Sequence, residues 1–176
     1  MYLLVFILFV VGAGISVFQA AGDDTWLALV SNGAMGVSGL YAYENKRFDL
    51  TTLTIFVMCT SVVWHSSGNY RLVDEFFSRY VAYYAFGTTA LPGSVIGSFI
   101  LILCVLLTYQ PLNMNEMYVF VPLLVVLCGF HCRFRSLDRR FVAAVAFGIG
   151  ARVCYHVPHW HSMWHVLGGI SIALTV

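Results

Sequence analysis

Apolar residues run along this chain in eight long stretches, parted by short polar connectors. The stretches cover roughly 2–20, 26–43, 50–67, 72–91, 94–109, 117–132, 141–157 and 160–176. About 20 mostly apolar residues suffice for a helix to cross a bilayer. The runs are continuous rather than alternating, so they predict helices and not the strands of a membrane barrel. Turn-formers and charges collect between them: Gly22-Asp23-Asp24, Glu44-Asn45-Lys46-Arg47, Ser67-Gly68-Asn69, Pro92-Gly93, Asn113 to Glu116, Arg133 to Arg140 and Val157-Pro158. The expected fold is all-α: a polytopic membrane protein whose residues 23–176 form one seven-transmembrane helix bundle. Residues 1–22 read equally as a signal peptide or as an extra N-terminal helix. Ala20-Ala21-Gly22 suits a signal peptidase, but the apolar run is long and no Lys or Arg precedes it.

Composition supports a lipid environment. Sixty per cent of the 176 residues are hydrophobic and 10% are charged, with a mean hydropathy of +0.84. A soluble domain carries roughly 25% charged residues, so this chain has too little charge to cover a soluble surface. A net charge of +1 with no basic stripe argues against nucleic acid as a partner. Cys59, Cys104, Cys128, Cys132 and Cys154 all lie in apolar stretches without a CxxC pair, and read as small packing residues.

Charge also suggests an orientation. Six of the nine basic residues, Lys46, Arg47, Arg133, Arg135, Arg139 and Arg140, fall in two connectors that the helix count puts on one side. The positive-inside rule makes that side cytoplasmic and puts Asp23 and Asp24 in the lumen or outside. Gly33, Gly36 and Gly39, and Gly93 and Gly97, recur at spacings that let helices pack closely in lipid.

Ionisable groups in membrane helices are costly, so each is a candidate for function. His161 and His165 are four apart at the start of the last stretch, on one helical face. Ser61 and His65 have the same spacing near the end of the third stretch, and Asp74 begins the fourth. All five fall at the non-cytoplasmic ends of their helices. His161 and His165 can grip one ion as an HxxxH pair, and His65 can supply a third nitrogen. Three imidazoles leave zinc an open fourth position, as in catalytic sites. Asp74 could then take a proton from water, and Ser61 could donate to a developing oxyanion. Taken singly, Asp74 reads as a helix cap or a first-turn acid, Ser61 as a packing hydroxyl, and the histidine pair as groups facing interfacial water. Glu75 and Arg79 read as an ordinary ion pair, and Arg152 as a residue that reaches toward the interface or meets an anionic head group. His131, His156 and His159 read as non-ligands.

Ser61-Val-Val-Trp-His65, Asp74 and His161-Ser-Met-Trp-His165 resemble the signature of the CREST superfamily. That superfamily includes alkaline ceramidases, progestin and adipoQ receptors, GPI-remodelling lipases, and the transmembrane protein 8 and myomaker group. The resemblance covers about residues 24–176. The HSxWH form of the last motif, Asp74-Glu75-Phe76-Phe77-Ser78 and Gly87-Thr88 are most similar to the transmembrane protein 8 and myomaker group. The resemblance implies zinc on His65, His161 and His165, water activated near Asp74 with help from Ser61, and hydrolysis of an amide or ester in a membrane lipid. The chain lacks the large extracellular region that some of that group carry before the helices, and it has no charged tail after Val176. Substrate recognition is therefore less defined than the chemistry. Two other readings are open: a lipid or hormone receptor with structural zinc, and a non-catalytic membrane-remodelling protein.

Overall fold

The computed structural model describes residues 30–67, 69–91, 93–108, 117–134, 138–157 and 160–176. The expectations for residues 1–22, for Asp23 and Asp24 and for His159 lie outside the described residues. Seven helices follow one another among the described residues: α1 (Gly33–Glu44), α2 (Phe48–Ser67), α3 (Arg71–Ala90), α4 (Gly93–Thr108), α5 (Met117–Phe134), α6 (Arg139–His156) and α7 (His161–Thr175). No strand occurs there, and the expectation of an all-α fold holds. By length and composition one of these helices, α2, could cross a membrane. The apolar parts of α4 and α5, Val95–Leu107 and Val121–Arg133, are shorter.

Local chemistry sets the ends of the elements. Asp138 caps α6 by accepting the backbone N–H of Phe141 at 2.6 Å, which satisfies one of the orphan donors of a helix start. Within α2, the hydroxyls of Thr51, Thr52 and Thr54 donate to carbonyls one turn back, at 3.0, 2.9 and 2.7 Å. A threonine-rich helix thereby satisfies its polar side chains internally. Between α2 and α3, Tyr70 adopts φ 66° and ψ 24°, a left-handed conformation uncommon for a residue with a Cβ. This tight reversal sets the end of α2 beside the start of α3.

The apolar core centres on α7, where Met163, Val166, Leu167, Ile170, Ile172 and Leu174 are all buried. α7 packs against α6, α1 and α3, and α3 also packs against α2, α4 and α5. α1 and α7 approach backbone to backbone. A Cβ on Gly169 would lie 2.9 Å from Ala34 O and 3.0 Å from Ser38 Oγ, and Ser38 Oγ donates to Gly169 O at 2.7 Å. Gly39 similarly admits Thr54 of α2, whose Oγ1 would lie 2.7 Å from an added Cβ. The packing role expected of the glycines therefore holds at Gly39. At Gly33 an added Cβ would meet nothing within 4 Å among the described residues.

The two ends of the bundle differ. At one end Arg47 pairs with Asp49 at 2.9 Å and donates to Thr88 Oγ1 at 2.9 Å. Tyr84 donates to Asp49 at 3.0 Å, and Arg140 reaches Tyr41 at 3.4 Å. The connector at Lys46-Arg47 and the start of α6 thus share that end. The end of α2, the start of α3 and the start of α7 meet at the other.

Candidate metal centre

His65, His161 and His165 converge at that second end. One ring nitrogen from each lies within 4.8 Å of the others, and His161 Nε2 is 3.1 Å from His65 Nε2. For metal–nitrogen bonds of about 2.0–2.1 Å in tetrahedral geometry, two ligand nitrogens stand about 3.3 Å apart. The donor set is three neutral-capable imidazoles with no carboxylate among them, which suits zinc or a similar borderline metal. The residues present fit the group that the sequence suggested.

Each histidine is placed by its element. His161 and His165 stand one turn apart on the first two turns of α7, and His165 is only 1% exposed. His65 lies in the last turn of α2. Indole rings wall the cluster. The ring centroid of Trp64 is 4.3 Å from that of His65, and the centroid of Trp164 is 4.7 Å from His165 and 5.2 Å from His161. Tyr155 of α6 packs on Trp164 at 5.5 Å.

Ser61 and Asp74 lie beside the histidines. Ser61 Oγ is 3.4 Å from His165 Nε2. Asp74, 1% exposed, occupies the first turn of α3. The helix starts after Tyr70, with no side-chain cap, so Asp74 is not its N-cap. Its Oδ1 instead accepts from Thr60 Oγ1 of α2 at 3.3 Å.

Two partners had no signature in the sequence. Thr60 holds Asp74, although nothing sets it apart from the other hydroxyls of its apolar run. Ser31, just before α1, lies 2.7 Å from His165 Nδ1 across 134 positions. The only sequence signal there was a polar pair, Ser31-Asn32, inside an apolar stretch.

Around the site, Glu75 is 2.7 Å from Arg71 and 3.4 Å from Arg79, so the expected pair with Arg79 exists and Arg71 makes the shorter contact. Arg152 lies against Tyr155, one turn on in the same helix. Its guanidinium carbon sits 4.7 Å over the Tyr155 ring, beside a cavity of about 80 Å³ between α3, α6 and α7. Asp74, Glu75 and Arg79 are among its polar lining residues, and Met35, Phe86 and Ile172 among its apolar ones. His131 lies away from the cluster, stacked on Phe141 with centroids 3.7 Å apart. His156 packs edge-on against Tyr155 at 5.3 Å. Neither belongs to a metal-competent group among the described residues.

No family model, curated protein or solved structure matches the chain, so its own residues and their geometry carry the functional reading.

Proposed function

We propose that this chain is a multi-pass membrane protein of the CREST type, a zinc-dependent hydrolase that cleaves an amide or ester bond of a membrane lipid. The carrying observation is the cluster of three imidazoles with Ser61 against His165 and the buried Asp74 held by Thr60, the neighbour of Ser61 in α2. A structural zinc needs neither a buried hydroxyl nor a buried carboxylate beside its ligands. Their presence favours hydrolysis over a receptor or membrane-remodelling role.

His65, His161 and His165 would hold the metal. Bound there, zinc supplies a Lewis acid that polarises a carbonyl and makes water acidic enough to act near neutral pH. Asp74 accepts the proton of the attacking water and passes it to the leaving group. Thr60 keeps the Asp74 carboxylate facing α2. Ser61 donates to the oxyanion that develops on the carbonyl oxygen. Trp64 and Trp164 shield the imidazoles, and the cavity that Asp74 lines offers apolar side chains for hydrocarbon beside polar ones for water.

Lipid surroundings are supported by the outward faces. Leu40 on α1, Ile55 on α2, Leu72 on α3, Ile102 on α4, Val125 on α5 and Val153 on α6 are all exposed. Apolar residues spread over so many helices exceed the patches normal on soluble proteins. We take all seven helices as membrane-embedded, with the basic connectors cytoplasmic and the histidines toward the lumen or the outside. The direct test is turnover of a labelled panel of ceramides, glycerophospholipids and GPI lipids by purified protein. The reading expects release of a fatty acid from one class, abolished by Asp74→Asn. Equal turnover in both proteins, or none in either, would remove it.

A further inference from the structure

The zinc reading leaves Ser31 without a role. It is 2% exposed, and its Oγ lies 2.7 Å from His165 Nδ1, the nitrogen on the side of the ring away from Ser61. A neutral imidazole carries one N–H and one lone pair, and its partners decide which nitrogen holds which. The approach of α1 to α7 at Gly169 brings Ser31 to this place.

We infer that Ser31 is a positioning residue that accepts the Nδ1–H of His165, fixing its Nε2 as the lone-pair nitrogen that faces His65 and His161. The inference rests on the metal reading and deepens it. Three features support it. The contact is short and buried, and a buried hydroxyl–imidazole bond in low dielectric holds its geometry firmly. His165 Nε2 is the atom next to Ser61, so the two faces of one ring serve separate tasks: Nδ1 anchors and Nε2 binds. Outer-shell partners of ligating histidines set the tautomer and ring orientation in this way. α1 thereby becomes part of the metal centre, although none of the three ligands lies on it.

The test is zinc affinity of the purified, full-length protein, measured by competition with a chromophoric chelator. Wild type is compared with Ser31→Ala, Ser31→Thr and Ser38→Ala. Loss of an outer-shell partner costs about 10–100-fold in metal affinity, so Ser31→Ala should weaken zinc binding by that factor. Ser31→Thr, which keeps the oxygen, should restore most of it. Ser38→Ala removes a neighbouring α1–α7 hydrogen bond and should leave affinity within about twofold of wild type. An unchanged affinity in Ser31→Ala overturns the inference, as does failure of threonine to rescue or an equal loss in Ser38→Ala. If Ser31→Ala does not fold, nitrogen-15 histidine spectra of the zinc-loaded wild type decide instead. A proton on His165 Nδ1 supports the inference, and coordination through Nδ1 overturns it. Should wild type bind no zinc at all, the metal reading itself falls and this inference with it.

Discussion

His65 Nε2 lies 3.1 Å from His161 Nε2, although 96 residues separate them. One of these rings closes α2 and the other opens α7, so the contact fixes how the two helices meet. A hydrogen bond between two imidazoles has a similar length. The third ring changes the reading, because His165 brings its own nitrogen within 4.8 Å of both. Three rings on one point are hard to satisfy with each other's protons, whereas one cation accepts all three lone pairs.

Asp74 and Ser61 should separate on mutation. Asp74→Asn is nearly isosteric and leaves the three histidines intact, so zinc content and abundance should be retained. Asn cannot take a proton from water, and general base catalysis is worth about 10²–10⁴-fold. Lipid turnover should fall by about that factor. Ser61→Ala should cost less, at most about 10²–10³-fold, the worth of one oxyanion donor. Single-turnover assays on zinc-matched preparations check the ranking. Full turnover in Asp74→Asn would leave its carboxylate as nothing more than an acceptor for Thr60.

Gly169 should be intolerant of a side chain. An added Cβ would press on the carbonyl of Ala34 at 2.9 Å, and backbone cannot swing aside as a side chain can. Overpacking of this kind costs about 1–3 kcal/mol. Gly169→Ala should therefore lower the unfolding temperature and weaken zinc binding, because α1 carries Ser31 away from His165. Gly33→Ala, at the start of α1, meets nothing within 4 Å and should be nearly neutral. Thermal denaturation of both variants in one detergent measures the contrast.

Much of this architecture was legible in the sequence. The apolar runs at 50–67 and 72–91 foretold α2 and α3 closely, because a long continuous apolar run bounded by turn-formers favours a helix over a strand. The His161–His165 pair was legible from its four-residue spacing alone. His65 and Asp74 joined it by residue type and by the end of the helix on which each falls. Ser31 was not legible. Nothing local marks a serine whose partner lies 134 positions away, and its role depends on how closely Gly169 lets α1 approach. Helix identity follows from local pattern, and side-chain direction from packing.

His131 should be replaceable with a gain. It is 3% exposed and stacked on Phe141, and both ring nitrogens are buried without a hydrogen-bond partner among the described residues. A buried polar group left unsatisfied costs about 1–3 kcal/mol. His131→Phe keeps the stacking and removes the penalty, so the variant should be more stable by about 1 kcal/mol or more and hold the same zinc. A less stable variant, or one that loses metal, would show that His131 has a partner or a function of its own.

Orientation can be read by labelling. Arg139 and Asn69 are both exposed and stand at opposite ends of the bundle. With the exposed Cys59 and Cys132 replaced by Ala, Asn69→Cys should react with an impermeant thiol reagent applied outside intact cells or to the lumenal face of vesicles. Arg139→Cys should react only after permeabilisation. The reverse pattern would invert the assigned sides and place the histidines toward the cytoplasm.

Protein purified without chelators, analysed by inductively coupled plasma mass spectrometry, should hold about one zinc per chain, with nitrogen ligands at about 2.0–2.1 Å by X-ray absorption. A variant lacking the imidazoles of His65, His161 and His165 should hold none. Wild-type protein free of zinc, or a triple variant that retains it, would contradict the central claim.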